Sequence, residues 1–413
     1  MATALVLVRN DVSHDTRILR EARVLRDLGY EVLVAGVVSR EEQETELDLD
    51  GIRVTRLLGR LQRLRNLVRR SDGTPGPQTR AGRTTGTPLR RRLVRLVVTV
   101  AFNLRGIGLA WRVAPELVHA NDYDTMWIAA TAKLLRRSRV VYDAHELWPD
   151  QDGDIGWRPW LIACEWLFLR IADATITVSP GCAEALAERY RVQPPVVVRN
   201  LPESVVEGTR RSEAVAEREP LAVYTGLVAP GRGLEEAVAA LAVAPKLRLR
   251  IVGPDNAGFG AEVVEQAKTI GVANRLEIRP PVPPGHVAES IVDADIGLVL
   301  IQPTSLSHRL SLPNKLFEYL AAGLPVVATD LPVMGPVVRD EGLGEVVPPG
   351  DVAAIAEAMV RLATPERNAD ARERVHEFRK RVSWDRERRI LEDVYASAAR
   401  TGRVPADKRS TAA

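Results

Sequence analysis

The chain has 413 residues, 46% hydrophobic and 27% charged, with a formal net charge of +3. That length exceeds one ordinary core and favours two or three domains, and the composition is that of a globular chain rather than a disordered one. So small a net charge excludes a dedicated nucleic-acid binder and an acidic solvating tail, and no nucleic-acid partner is expected.

Residues 5–8 form a short apolar β run that ends in the polar loop 9–13. Residues 15–28 carry Ile18, Ala22 and Leu25 on one helical face, Gly29 stops the helix, and 31–35 is the next strand. Strand, helix and strand in that order make a βαβ unit, hence a parallel sheet. Further strands are expected at 51–55, 117–119, 139–142 and 174–178, and between the prolines of 194–202. A second series runs through 221–225, 249–252, 276–278, 296–300 and 325–328, with helices such as 234–241 and 261–270 between its strands. The polar stretch between the two series reads as a linker. The expected organisation is a first domain at 1–200, a linker at 201–219, a second domain at 220–380, a helix at 381–399 returning to the first domain, and a disordered tail at 400–413. Two such series give an α/β fold of two Rossmann-like, doubly wound parallel-sheet domains facing a central cleft, the usual place for a ligand.

One segment breaks this rhythm. Eleven arginines from Arg60 to Arg95 stand against a single acid, Asp72, and 71–88 is rich in Gly, Thr and Pro and reads as disordered. It leads into the apolar stretch 93–104. Two readings fit: peripheral docking on an anionic membrane surface, or a solvated loop before a core helix. The amino terminus lacks a basic n-region and a cleavage site, and no uncharged run reaches bilayer length, so a cytoplasmic location is expected, with the inner face of the plasma membrane as its peripheral variant. Cys164 and Cys182 have no metal-ligand spacing and read as small buried hydrophobes in a reducing compartment.

The most informative segment is 311–323, SLPNKLFEYLAAG. Ser311 suits an N-cap, Pro313 the first turn and Gly323 the stop. On the helix between them Lys315, Glu318, Tyr319 and Ala322 share one face, with Leu316, Phe317 and Leu320 opposite. A cation and a carboxylate thus project together beside a helix amino terminus, whose N–H groups attract phosphate. Lys315 is placed to balance a diphosphate and Glu318 to accept ribose hydroxyls. A plain surface Lys–Glu pair has the same spacing.

The stretch 313–330, PNKLFEYLAAGLPVVATD, resembles the donor-site signature of the retaining GT-B glycosyltransferases of family 4, in a variant with Pro-Asn-Lys before the Glu. In that family the Glu holds the nucleotide ribose, a role that falls on Glu318. Many members have another Glu eight residues earlier, where this chain has Leu310. The loop 224–234, YTGLVAPGRGL, is similar to the family's glycine loop and implies donor contacts for Gly226 and Arg232. Arg232 stands where Lys is common, and Leu227 where a second Arg is often found. The match at 140–149, VVYDAHELWP, implies that His145 reaches the donor sugar from across the cleft. The strand end LVHAND is similar to one that borders the acceptor, implying acceptor-side positions for His119, Asp122 and Glu146, joined by Asn10 and Asp11 in the loop before Asp15.

The resemblance implies transfer of a sugar from a nucleoside diphosphate to an acceptor hydroxyl, with retention, in glycan, glycolipid or polysaccharide synthesis. His145, Arg232 and Lys315 would be catalytic, with Gly226, Ser311 and Glu318 binding the donor. No cofactor is implied, the nucleotide sugar being a substrate, and no essential metal. Asp122 and Asp124 have the form of the metal-binding Asp-x-Asp of the other major glycosyltransferase fold, but among two Rossmann-like series they are assigned none. Asp295 and Gly253 read as structural, and Trp148, Trp157, Trp160 and Trp166 as core or as an acceptor-side lid. A nucleotide-sugar epimerase on the same architecture, or a membrane-docking scaffold derived from a transferase, are the alternatives.

Overall fold

The computed structural model describes residues 2–13, 15–38, 44–58, 89–145, 147–150, 158–206, 219–255 and 258–400, with side chains of the helix Leu89–Val113 described from Leu96 onward. The basic stretch from Arg60 to Pro88, Glu146, Trp157, most of the expected linker and the tail beyond Arg400 lie outside these residues. The chain divides into two units.

The first unit gathers the residues up to Thr177, Ala183–Val198, and the end of the last helix from Arg388. Its strands are β1 (Thr3–Leu7), β2 (Glu31–Val37), β3 (Glu46–Leu49), β4 (Ile52–Leu57), β5 (Leu117–Asn121), β6 (Arg139–Asp143), β7 (Ala174–Thr177) and β8 (Val196–Val197). They pair in the order β3-β4-β2-β1-β5-β6-β7-β8, parallel throughout except for the edge hairpin β3–β4. Sequence reading missed β3, because its Glu-Leu-Asp-Leu run, nowhere fully buried, carries no core signal. Central β1 and β5 are instead covered on both faces, which is why their apolar runs are almost unbroken.

The helix Thr16–Asp27 starts at Asp15, whose carboxylate accepts the N–H groups of Arg17 and Ile18. From β1 to β2 the chain moves one way along the sheet; from β4 to β5, β6 and β7 it moves the other way. Right-handed crossovers therefore put Thr16–Asp27 on one face and Leu89–Val113, Met126–Arg136 and Arg158–Ile171 on the opposite face. Tyr395, on the last helix Trp384–Arg400, joins the Thr16–Asp27 face, where its hydroxyl meets buried His119. The 25-residue helix Leu89–Val113 includes an 18-residue stretch, Leu96–Val113, of mean hydropathy 1.3. It is the crossover between parallel β4 and β5, packed on the sheet side through Val98, Phe102, Leu109 and Ala110. Cys164 and Cys182 are buried and unbridged.

The second unit comprises Val178–Cys182 and Arg199–Glu387. Its strands are β9 (Leu221–Thr225), β10 (Arg248–Val252), β11 (Leu276–Arg279), β12 (Ile296–Val299), β13 (Val326–Thr329) and β14 (Gly344–Val347). They form an all-parallel sheet in the order β11-β10-β9-β12-β13-β14. One face packs Leu249, Ile251 and Leu298 with the helices Leu234–Val243, Phe259–Thr269 and Val352–Leu362. The other packs Val223, Val299 and Val326 with Asn314–Ala321 and with Val375 and Phe378. The strand order reverses beside β9, so the carboxyl end of β9 is the topological switch point, where open α/β sheets take their ligands.

Asp295 is structural: its carboxylate accepts the Leu221 N–H and its carbonyl the Asn368 amide. Gly297, unremarked in the sequence, is a packing requirement. A Cβ there would lie 2.3 Å from the Tyr319 ring. Gly297→Ala is expected to cost about 1–3 kcal/mol by overpacking. Denaturant unfolding measures this, and a variant as stable as the parent would show that Tyr319 moves aside freely.

Candidate functional site

The second unit assembles its site at the end of β9. The helix Asn314–Ala321 begins after Pro313, whose backbone is extended and whose side chain makes no cap. The expected N-cap, Ser311, is displaced from that role: it ends the preceding short helix Leu306–Leu310, and its hydroxyl donates to the His308 carbonyl. Two residues, Leu312 and Pro313, separate it from the helix start, too far for its oxygen to reach the first free N–H groups. Gly323 does end the helix, at φ 73°.

Lys315 is turned inward rather than toward solvent. Its side chain is 9% exposed, and Nζ lies 3.6 Å from the centre of the Tyr224 ring. Among the described residues no carboxylate stands within ion-pair distance of it. A desolvated cation–π contact of this kind contributes about 2 kcal/mol or somewhat more, against several for burying an ammonium. Burial therefore pulls the Lys315 pKa well below its usual value, helped by the Arg232 charge and only partly opposed by Glu318. The surface ion pair that the spacing allows is not formed.

Glu318 lies half-buried on the same helix and accepts the Thr225 hydroxyl at 3.3 Å. The next residue, Tyr319, is fully buried: its hydroxyl accepts the Thr225 N–H at 2.7 Å and donates to the Leu298 carbonyl at 3.3 Å. The helix is thereby stitched to the ends of β9 and β12. Gly226 follows β9 at φ 114°, and a Cβ there would sit 3.6 Å from the Lys315 ammonium. Gly253, expected to be a plain turn, has a stronger reason to be glycine, since a Cβ would strike the Gly226 carbonyl at 1.8 Å. Thus Gly226, Lys315 and Glu318 come together, with Arg232 near enough for its charge to act on Lys315 and on Tyr224. Tyr224 and Thr225 were missed as partners, although they stand in the same YTG string as Gly226.

The first unit builds a chain of buried charges at the ends of β5 and β6. Arg17 Nε lies 2.6 Å from Asp143 and 3.0 Å from Glu21, and its guanidinium also donates to the Val198 carbonyl. His145 lies between two carboxylates, Nε2 at 3.0 Å from Asp122 and Nδ1 at 3.5 Å from Asp143. Burial would lower the His145 pKa, but Asp122 and Asp143 outweigh it and raise it well above the usual value, which favours the charged ring. Asp122 holds its side non-helically at φ 62°, ψ 164°, a backbone conformation that L residues rarely adopt. It is pinned there by its N–H to the Asp143 carbonyl and by the Thr125 N–H and hydroxyl on its own carbonyl. Its sequence neighbour in the Asp-x-Asp, Asp124, turns to Arg9 at 2.7 Å, so the two carboxylates serve different cations.

The remaining acceptor-side expectations fare differently. His119 is fully buried, with Nδ1 2.8 Å from the Tyr395 hydroxyl and Nε2 3.3 Å from Glu21, so it touches no open surface. Asn10 is spent on its own loop, donating to Asp15 and accepting the Val12 N–H. The Asp11 carbonyl accepts Arg56 Nε. Glu21, His119 and Asp143 bring three ligand atoms within 4.8 Å, but Arg17 already supplies the cation among them. Of the tryptophans, Trp148 packs on Tyr123, whereas Trp160 and Trp166 are exposed and belong to no core.

Two histidines on one sheet edge thus have opposite titrations. Burial holds His119 neutral and lowers its pKa to about 4, against 6.5 unfolded. Its contribution to stability is complete above pH 6.5 and is lost as pH falls toward 4, about 3 kcal/mol over that window. For His145 the sign is reversed: its contribution is complete below pH 6.5 and is lost as pH rises through the raised folded value. A nuclear magnetic resonance titration of the two rings is expected to give His119 near pH 4 and His145 on the alkaline side; the same midpoint for both would refute the arrangement.

Comparison with known proteins is consistent with this geometry. Residues 219–364 match the family model described as glycosyl transferases group 1, and residues 15–200 match that of glycosyltransferase family 4. A D-inositol 3-phosphate glycosyltransferase of Saccharomonospora viridis is 26% identical over 68% of this chain and 70% of its own. A phosphatidyl-myo-inositol mannosyltransferase of Mycobacterium leprae is 41% identical over 21% of this chain, which spans only 24% of that protein. Among solved structures, sucrose-phosphate synthase from Thermosynechococcus elongatus superposes with a TM-score of 0.71 at 18% identity, covering 96% of this chain and 98% of that one. Anabaena HepE in complex with UDP gives 0.66 at 15% identity, covering 96% and 100%. At these identities the structural likeness is one of fold, and the family models supply the chemistry: the chain is a glycosyltransferase of the GT-B fold.

Proposed function

We propose that the enzyme transfers a sugar from a nucleoside diphosphate to an acceptor hydroxyl with retention, using the Lys315 pocket for the diphosphate. The observation that carries this reading is the buried Lys315 ammonium, which has no carboxylate partner among the described residues and lies beside the Gly226 backbone at the switch point. An anion of two or more charges complements this buried amine and the Arg232 charge beside it. The HepE structure holds UDP on the same fold, in keeping with a nucleotide donor.

In this reading Lys315 and Arg232 stabilise the charge that develops on the leaving diphosphate, and Glu318 accepts hydrogen bonds from the ribose. These two cations take the part that a divalent metal plays elsewhere, so chelators are expected to leave the activity intact. The acceptor hydroxyl attacks the anomeric carbon on the face that the diphosphate leaves. A diphosphate oxygen takes the hydroxyl proton, so that no enzyme nucleophile is required. Relatives are named for inositol-bearing acceptors, which makes inositol 3-phosphate and phosphatidylinositol the first acceptors to assay.

Lys315→Ala and Glu318→Ala are each expected to lower kcat/KM about 100-fold or more while remaining folded. Normal turnover in either folded variant would remove the donor assignment. Conversion of donor without any acceptor would point to an epimerase instead.

A bound diphosphate also raises the Lys315 pKa that burial lowers. Donor binding is therefore expected to take up a proton and to weaken as pH rises. Calorimetry in buffers of different ionisation enthalpy reads this, and Lys315→Met should abolish the uptake. Proton release, or uptake unchanged in that variant, would refute it.

A further inference from the structure

Independently of the donor site, the geometry points to the outer helical layer of the first unit as a docking surface for an anionic lipid bilayer. The helices Leu89–Val113, Met126–Arg136 and Arg158–Ile171 lie side by side on one face of the sheet. The first two approach closely where Gly106 meets Ile128; a Cβ on Gly106 would sit 2.2 Å from the Ile128 side chain. Packing uses one side of each helix and leaves an apolar side facing out.

On Leu89–Val113 the outward row is Leu96, Val100, Leu104 and Trp111, at helical spacing, with Leu104 65% exposed. The neighbouring helix ends in Leu134 and Leu135, 81% and 56% exposed. The third presents Trp160, Trp166 and Leu167, with Trp160 57% exposed. Singly exposed leucines are ordinary; three adjacent helices that each present large exposed apolar side chains are not.

The charges on this layer have one sign. Arg105, Arg112, Arg136, Arg137 and Arg170 are exposed and have no carboxylate partner among the described residues. The one acid within the described parts of the three helices, Glu165, is buried and accepts the Tyr190 hydroxyl. Two of the cations lie over the exposed indoles: the Arg136 guanidinium carbon is 3.8 Å from the Trp111 ring centre, and that of Arg170 is 4.1 Å from Trp166. Indole bodies in the acyl boundary with guanidinium groups at headgroup level are what a bilayer interface rewards.

Charge decides against the other occupants. A second copy of the chain meeting this face with its own would press arginine against arginine. The chain's own segment from Arg60 to Pro88 is likewise rich in arginine with one acid, so it too is repelled. An anionic headgroup layer complements both the arginines and the apolar rows between them.

The test is co-sedimentation of the full chain with phosphatidylglycerol-rich vesicles and with vesicles of phosphatidylcholine alone. Binding is expected to the first and to be at least tenfold weaker with the second. Leu104→Ser, Trp111→Ser and Trp166→Ser are each expected to weaken it about tenfold, and Arg105→Gln or Arg112→Gln about fivefold, because each arginine near an anionic surface contributes a factor of that size. Deleting residues 71–88 should leave binding in place. All these side chains are exposed, so thermal midpoints and donor-induced thermal shifts should match the parent, which keeps the result separate from the donor assignment. Binding indifferent to lipid charge, unaffected by the helix substitutions, or abolished by the 71–88 deletion would overturn the proposal. So would a lipid-free dimer that Leu104→Ser dissociates.

Discussion

The second unit is organised around one cost, the burial of the Lys315 ammonium. A cation over the Tyr224 ring with no carboxylate beside it is held there only because the surroundings are fixed. Tyr319 fixes the helix by taking the Thr225 N–H, and Gly297 leaves room for the Tyr319 ring. Gly226 and Gly253 let two strand ends approach closely enough to face the cation with backbone rather than side chain. Each of these residues makes sense as support for a lysine buried at the end of β9.

The first unit treats the buried charges at the ends of β5 and β6 differently, by pairing them with one another. Arg17 neutralises Asp143 and Glu21, and Asp122 and Asp143 make His145 a cation, while His119 stays neutral against Tyr395. The network spans the carboxyl ends of β5 and β6, the helix Thr16–Asp27 and the last helix of the chain. Its consequence is a fixed, ionised imidazole only 23% exposed. The backbone conformation at Asp122 is unfavourable by itself and persists because three hydrogen bonds define it from both sides.

Much of this was legible in advance. The alternation of apolar runs with amphipathic stretches specifies two parallel sheets, and Gly226, Lys315 and Glu318 stand in the strings that the sequence marks out. What went unread has common causes. Ser311 has the right residue type for a cap, but the chain turns two residues later than it suggests. β3 and β14 lie at sheet edges, where half-buried residues leave no continuous apolar run. His119 was read beside Asp122 because the two are close in sequence, yet neighbouring strand residues can face opposite sides of a sheet, and His119 is sealed under the last helix.

By itself the sequence determined the strand and helix rhythm, the doubly wound class and the residue types of the donor pocket. Periodicity is a local property, written along the chain and independent of what packs against it. The tertiary structure alone decided which way each charged side chain turned. Helical spacing puts Lys315 and Glu318 on one side, but whether that side meets water or the Tyr224 ring depends on a strand some ninety residues earlier in the chain. The same holds for the ionisation of His145, set by Asp122 and Asp143, and for the neutrality of His119, imposed by burial. Desolvation and charge pairing are non-local, and only the folded arrangement determines them.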